Sequence, residues 1–296
     1  MFNEYRLYSN IYQAKPITRI LYTTDLSIDS QQALPYATAL ARAYGAKLFL
    51  CHWQQTSSIE KRAQVEDQLK DMIATSVAQN GAAGLEWESV VIAGHTLEVI
   101  LKEAIKDHIN LIVMNSRRRP YAATLLSSTA EVICRNASCP VFVTHTPERD
   151  WVDKNGKINL RRILIAYDFS PFSELALHYA LSLAQEHKAE LHIMHVLPTY
   201  PEMPWRPTPQ TAFHRAEHKL QHAIPLDMKT TEKIDRVVRE GQPYREILLY
   251  AEEHATDLIC MGAHGAGFND WALFGSNTDR VLRQAPCPIF IARPQQ

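Results

Sequence analysis

The segment RILIAYDFSPFSELALHYALSLAQEHKAELHIMHV (162–196) decides the fold, because the 296-residue chain contains a second, similar copy of it. The earlier copy, RILYTTDLSIDSQQALPYATALARAYGAKLFLCHW (19–53), aligns without a gap and places Asp25 on Asp168. Later segments repeat as well, including CPVFVTHTP in the first half and CPIFIARP in the second. An internal repeat of this kind indicates one domain encoded twice.

We predict a domain at 1–147, a polar linker at 148–160 and a second domain at 161–296. In each copy, short apolar runs such as ILIAY and DLICMG alternate with helical patterns such as ELALHYALSLAQEH. Apolar runs are typical of strands buried on both faces, and steady strand–helix alternation implies a parallel sheet. Each copy is therefore predicted to be a doubly wound, Rossmann-like α/β domain.

The composition excludes several classes of partner. A formal net charge of −1 gives no electrostatic reason to expect nucleic acid or an anionic membrane surface. No apolar run approaches the length of a membrane span or the core of a signal peptide. The five cysteines include no C-x-x-C pair, and we expect reduced core thiols of a cytoplasmic protein, with a Cys134–Cys139 disulfide as the alternative.

The chain has few glycines but concentrates them in MGAHGAGFNDWALFGSNTDRVL (261–282). Gly262 and Gly265 follow a predicted strand, where they would allow the backbone to approach a ligand closely. The pair Gly275-Ser276 lies where a helix is predicted to begin, with free backbone N–H groups at its positive end. These features predict an anion site, most naturally for phosphate, although the segment matches neither a Walker A loop nor G-x-G-x-x-G.

The spacing G-x-x-G, nine residues, then G-S resembles the ATP-binding motif of the universal stress proteins. The preceding MGAHG and the final CPIFIARP are similar to the same family's patterns. The resemblance covers nearly the whole chain twice and implies a five-stranded parallel sheet in each copy. It also implies an adenosine across the carboxyl ends of strands one and four, the general ligand position in doubly wound sheets.

The resemblance implies a set of nucleotide contacts in the second copy. They are Ala166, Tyr167, Asp168, Val196, Met261, Gly262, His264, Gly265, Gly275, Ser276 and Asn277. By the same analogy, Asp168 and Val196 face the nucleoside, and the loop with Gly-Ser surrounds the phosphates. Asn277 departs from the family pattern, which commonly has an apolar residue there. The implied ligand is ATP, or AMP or ADP, with magnesium.

The first copy has lost this motif. Its aligned residues are Asn115, Arg118, Ser127 and Ser128, and Trp53 replaces Val196. A tryptophan would crowd an adenine, so we predict a degenerate structural or regulatory half without nucleotide. The three arginines 117–119 form either a solvated basic loop or a set of charged forks that grip a phosphate.

Three other groups of residues have two interpretations each. His214, His218 and His222 share one helical face, and they form either a weak metal site or an exposed amphipathic helix. His264 serves as a proton shuttle or phosphate contact, or as a plain packing residue. Asp168 contacts ribose, or holds a divalent cation through water. His52 and His195, at matched strand ends, are expected to be satisfied core histidines, and no serine has the partners of a hydrolase triad.

The predicted function is that of a tandem universal stress protein with a regulatory or protective role, at most a slow ATPase. One alternative is a ligand-free protein-interaction module. Another is an adenylyl-transfer enzyme of related fold, although the loops AYDFSPFS and TTDLSIDS lack the pyrophosphate loop of that class. We also expect the last strands of the two halves to pair, a homodimer, and a protein partner that the sequence does not identify.

Overall fold

The computed structural model describes residues 16–54, 58–80, 84–94, 98, 100–101, 108–116, 128–145, 151–153, 156–199, 208–224, 233–265 and 274–294. The chain divides into two compact units, and the boundary in the sequence falls between Asn159 and Leu160. The predicted arginine loop 117–119 and Ser127 lie outside the described residues.

The first unit is a parallel sheet with helices. Its described strands are β1 (Arg19–Thr24), β2 (Lys47–Gln54), β3 (Trp87–Ala93), β4 (Leu111–Asn115) and β5 (Val141–Thr144). Its described helices are α1 (Ile28–Gln31), α2 (Leu34–Tyr44), α3 (Ile59–Asn80) and α4 (Ser128–Asn136). The strand order is β3-β2-β1-β4-β5, and the pairs are parallel.

The second unit repeats this design. Its described strands are β6 (Arg162–Ala166), β7 (Glu190–Pro198), β8 (Ile234–Gly241), β9 (Leu258–Gly262) and β10 (Ile289–Ala292). Its described helices are α5 (Pro171–His187), α6 (Pro209–Gln221), α7 (Pro243–Glu253) and α8 (Ser276–Gln284). The order β8-β7-β6-β9-β10, again parallel, confirms two repeated doubly wound domains with five described strands each.

Burial explains why the strands lack polar alternation. All residues of β9 and β10 are buried, as expected for strands covered on both faces, whereas the edge strand β8 is mostly half-buried. The chain runs from β6 outward through β7 to β8, then returns to β9 on the other side of β6. This reversal opens a crevice between the carboxyl ends of β6 and β9.

The turn after the first strand of the second unit is held by side chains. Asp168 Oδ1 accepts hydrogen bonds from the backbone N–H of Ser170 at 3.1 Å and from its hydroxyl at 2.5 Å. Ser170 is also the N-cap of α5, because its Oγ accepts a hydrogen bond from Ser173 N–H at 3.2 Å. Phe169 adopts a left-handed φ of 63° between them. These hydrogen bonds stabilise a backbone conformation that non-glycine residues rarely adopt.

The first unit contains the same turn. Asp25 accepts from the backbone and hydroxyl of Ser27, and Ser27 Oγ accepts from Ser30 N–H at 3.2 Å. Leu26 has a φ of 64°. The turn is therefore a structural feature that both units keep, including the unit without the glycine motif.

The helix after this turn differs between the units because of one proline. Pro35 stands where the second unit has His178. Proline lacks a backbone N–H, and its ring clashes with the carbonyl four residues earlier. The first unit therefore ends α1 at Gln31 and begins α2 at Leu34, whereas α5 is continuous.

The segment predicted as a linker contributes to the core of the first unit. The Trp151 side chain is 1% exposed. Its ring centroid lies 4.9 Å from that of Tyr36 and 5.8 Å from that of Phe142, and both ring pairs are edge-on. The Trp151 carbonyl accepts from Asn159 N–H at 2.6 Å, which closes a small antiparallel hairpin. These residues are packed and hydrogen-bonded, so the segment is more than a polar connection.

Two further predictions concern burial and hydropathy. All five cysteines are buried, as expected for core thiols. Burial raises the pKa of the Cys139 thiol to about 12, which makes it a poor nucleophile. Among the described helices, none is long and apolar enough to span a membrane.

His192 on β7 is a buried histidine with two carboxylates nearby. Its Nδ1 lies 2.7 Å from the Tyr250 hydroxyl, and its Nε2 lies 3.6 Å from Asp235 and 3.7 Å from Glu190. Burial lowers the pKa of His192, against the opposing effect of Asp235. The imidazole is therefore neutral near pH 7. The first unit has Phe49 at the aligned position.

We expect His192→Phe to reduce the loss of stability in mild acid. A histidine whose folded pKa lies below its unfolded value, about 6.5, stabilises the fold above that pH. This contribution is lost as the pH falls below about 6.5 toward the folded pKa. The measurement is the melting temperature at pH 7.5 and 5.5 in both proteins. The other histidines contribute equally to both proteins. An equal fall in the melting temperature of the two proteins would therefore contradict the lowered pKa of His192.

Candidate functional site

A cavity of about 380 Å³ lies in the second unit, at the carboxyl ends of its central strands. The strand ends contribute Ala166, Tyr167, Asp168, Val196, Met261 and Gly262 to its lining. The loop after β9 contributes His264 and Gly265, and the start of α8 contributes Gly275, Ser276 and Asn277. The structure thus brings all eleven predicted contact residues to one cavity.

Seven further residues line the cavity but were not predicted as contacts. They are Ser173, Met194, His195, Pro198, Pro243, Ile247 and Thr278. Met194 and His195 directly precede Val196 on a strand end, so their position could have been inferred. Pro243 and Ile247 belong to the first turns of α7 and carry no motif, so only the folded topology places them there.

Asp168 is the acidic group of the cavity wall. Its Oδ1 is held by Ser170, as described above. Its Oδ2 faces the glycine loop, because a Cβ added to Gly265 would lie 2.6 Å from this oxygen. Gly265 is therefore required for the close approach of the loop to the carboxylate.

His195 is a neutral imidazole with a defined tautomer. Its Nδ1 lies 2.8 Å from the Tyr167 carbonyl, which can only accept, so Nδ1 carries the proton and donates. Burial lowers the pKa of His195, and the neutral ring has its lone pair on Nε2. His52 makes the matching contact with the Thr24 carbonyl at 2.9 Å. Both histidines bond to the backbone at matched strand ends, as predicted, but both are half-buried rather than core residues, and His195 lines the cavity.

The structure gives Gly262 a steric reason in addition to the ligand approach inferred from the sequence. A Cβ at Gly262 would lie 2.7 Å from Phe172 Cβ and 2.8 Å from the Phe172 carbonyl carbon. The start of α5 therefore excludes a side chain at Gly262 in the chain without any ligand. Close contact between β9 and α5 is the physical cause.

The start of α8 presents backbone donors to the cavity. Gly275 is its N-cap and supplies no side-chain capping bond. Ser276, Asn277 and Thr278 occupy the first turn, where N–H groups have no intrahelical acceptor and the helix dipole is positive. The Thr278 hydroxyl donates to the Gly262 carbonyl at 2.9 Å, which fixes the helix start against β9.

His264 is 4% exposed, and its ring centroid lies 4.8 Å from that of Phe172. The observed contact is the packing interaction that the sequence offered as one of two interpretations. His264 also lines the cavity, so a ligand contact is compatible with this position.

The three histidines of the predicted metal alternative lie around α6. His214, His218 and His222 are exposed, and His222 Nδ1 bonds to the His218 carbonyl at 2.8 Å. Within the described part of the chain, no group of three His, Cys, Asp or Glu side chains is arranged to hold a metal ion. The exposure of all three side chains is what the exposed-helix interpretation predicts.

The first unit differs at the positions that align with the cavity. Asn115 stands at the position of Gly262, and its Nδ2 donates to Thr144 Oγ1 at 3.1 Å on the neighbouring strand. Trp53 is half-buried near the end of β2, at the position of Val196. Side chains thus occupy positions where the second unit has glycine or a small apolar residue.

The fold and the cavity define a tandem doubly wound α/β protein with a candidate ligand site in its second unit. The model of the universal stress protein family matches residues 16–145 and 159–293. A universal stress protein of Mycolicibacterium smegmatis is 24% identical over 300 residues, spanning 93% of this chain and 97% of that protein. The chain belongs to the universal stress protein family, in its tandem form.

One solved structure of similar length has the same fold. A universal stress protein from Archaeoglobus fulgidus is similar with a TM-score of 0.71 and 24% identity, covering 95% of this chain and 100% of that chain. Another solved structure is of a universal stress protein in complex with cAMP, with a TM-score of 0.37 and 20% identity. It covers 45% of this chain and 99% of that chain.

Proposed function

We propose that the second unit binds an adenine nucleotide, namely ATP, ADP or AMP, with magnesium, and that binding regulates a protective role under stress. The observation that carries this proposal is the convergence of Asp168, Val196, the glycine loop and the first turn of α8 on one cavity. The cavity lies where doubly wound sheets generally bind ligands. Its volume of about 380 Å³ is within the usual range of small-molecule sites, about 300–1,000 Å³.

The phosphate end of the ligand would lie at the start of α8. Ser276, Asn277 and Thr278 supply backbone donors there, and an anion is stabilised by the positive end of a helix. Gly265 and Gly275 leave the backbone open on this side, since neither carries a side chain that would cover the donors.

The nucleoside end would lie against β6 and β7. Val196, Met194 and Ile247 provide apolar lining, which suits the faces of a purine. Asp168 offers carboxylate oxygens as acceptors for ribose hydroxyls, and its fixed orientation lowers the entropic cost of that contact.

We expect one nucleotide per chain, held by the second unit. Asn115 and Trp53 stand in the first unit where Gly262 and Val196 stand in the second, and both would crowd a nucleotide. The first unit then acts as a structural or regulatory partner. The same proposal includes pairing of the two last strands, a homodimer, a cytoplasmic location and a protein partner not yet identified.

The described lining does not favour efficient catalysis. None of the described residues around the cavity is a lysine or an arginine, so none can act as a P-loop lysine or an arginine finger. The proposed role is therefore that of a nucleotide-dependent regulator, with slow ATP hydrolysis at most.

The first experiment is to denature the freshly purified protein and identify any released nucleotide with its stoichiometry. About one adenine nucleotide per chain would support the proposal. No released nucleotide, together with no rise in melting temperature on adding adenine nucleotide with magnesium, would contradict it. That outcome would favour the ligand-free interaction module.

The structure provides a matched pair of variants for Asp168. Both Asp168→Ala and Asp25→Ala remove the same turn hydrogen bonds to serine, but only Asp168 lines the cavity. We expect Asp168→Ala to weaken nucleotide binding about tenfold, from loss of a hydrogen bond to a charged group. Asp25→Ala should leave the affinity unchanged, as measured by isothermal titration. Equal effects of the two variants would show that the turn acts only through stability.

A further inference from the structure

We propose that the cavity selects an adenine nucleotide with a single phosphate group over metal-free ATP, and that ATP binds well only with magnesium. This inference rests on the proposed function and adds to that function a preference for one charge state of the ligand. Charges, donors and their positions around the cavity carry the proposal.

The described lining contains a fixed negative charge and no fixed positive one. Asp168 is the carboxylate, and none of the lining residues within the described ranges is lysine or arginine. The basic lining groups are the imidazoles of His195 and His264, and burial lowers the pKa of His195. A highly charged anion would therefore find little compensation from side chains in the wall.

Two exposed cations of the second unit lie outside the described lining. Lys219 is exposed and lies over the Phe169 ring at 5.1 Å, and Arg280 is exposed and lies over the Tyr244 ring at 4.8 Å. Solvent screens charges at such exposed positions.

The backbone donors described at the start of α8 suit one phosphate group. The first turn of α8 has three N–H groups, on Ser276, Asn277 and Thr278, and its dipole is worth about half a positive charge. Asp168 Oδ2 lies directly against the loop that follows β9, at Gly265. A triphosphate would bring about four negative charges toward this carboxylate, whereas AMP brings about two. Magnesium would offset two of the charges of ATP.

The test measures affinity by isothermal titration with AMP, with ATP in EDTA, and with ATP and magnesium. We expect AMP to bind about tenfold more tightly than ATP in EDTA, and magnesium to remove most of this difference. Raising the salt concentration from 50 to 300 mM should also narrow the difference, because screening weakens repulsion. This second measurement needs no variant.

The charge of Asp168 is tested by Asp168→Asn, which keeps an oxygen acceptor for Ser170 and removes the charge. We expect this variant to reduce the preference for AMP over ATP in EDTA by about threefold or more. Asp25→Asn makes the same change at the matched turn of the first unit and should leave the preference unchanged.

The possible results separate the two proposals. If none of the three nucleotide preparations binds, both the proposed function and the preference are wrong. If nucleotides bind but ATP in EDTA binds as tightly as AMP, only the preference is overturned. If Asp168→Asn and added salt both leave the preference for AMP over ATP in EDTA unchanged, its cause is not electrostatic. That result also overturns the proposal.

Discussion

Replacing Trp151 by alanine is expected to destabilise the first unit by about 3–5 kcal/mol, the usual cost of truncating a fully buried tryptophan. The side chain is 1% exposed and packs edge-on against Tyr36 and Phe142. The variant therefore loses apolar burial and two aromatic contacts, and leaves a cavity between them. For a unit of this size, calorimetry should show a fall in melting temperature of about 10 °C.

Trp87→Ala provides the matched control for this change. Trp87 begins the edge strand β3 and is only half-buried, so the same truncation should cost clearly less. If the two variants lowered the melting temperature equally, the Trp151 side chain would not be part of the core. Nucleotide binding by the second unit should persist in both variants below their melting temperatures.

The repeat in the sequence was sufficient to predict the fold. Two copies of one pattern of apolar runs and helical segments imply parallel pairing, since a crossover helix connects parallel strands in a right-handed sense. The strand orders of both units confirm this. The break between α1 and α2 was also readable in principle, because Pro35 cannot continue a helix from Gln31.

The motif was sufficient to predict which residues converge on the cavity, but not the steric contacts that require each residue type. All eleven predicted residues line the cavity. The steric role of Gly262 could not be inferred, because Phe172 is distant in the sequence and meets it only through helix packing. The contribution of Ile247 was missed for a similar reason, since α7 reaches the cavity through the crossover from β8 to β9.

The polar composition of the linker gave no indication that Trp151 is buried. A lone tryptophan among charged residues gives no periodic signal, so its burial depends on the aromatic partners Tyr36 and Phe142 far away in the sequence. Tertiary contacts of this kind override local composition. The same limitation applies to any core residue that lies outside a regular element.

The largest effect on binding is expected from Gly265→Val. A Cβ at Gly265 would lie 2.6 Å from Asp168 Oδ2, so the new side chain must displace the carboxylate or the loop. It would also occupy space at the phosphate end of the cavity. The cost of such overpacking, about 3 kcal/mol, corresponds to a loss of affinity of about 100-fold for adenine nucleotide.

We expect the fold to survive Gly265→Val, because, among the described residues, the atoms within 4 Å of the added Cβ belong to the Asp168 side chain. Gly45→Ala is the control in the first unit: its φ is +60° and no atom lies within 4 Å. That control should lower the stability by about 1 kcal/mol and leave binding unchanged. Isothermal titration of both variants measures the nucleotide affinity, and thermal melts measure the stability of the fold, so the two effects are separated. If Gly265→Val bound adenine nucleotide with unchanged affinity, the ligand would contact neither the Asp168 carboxylate nor the loop at Gly265, and the proposed site would be wrong.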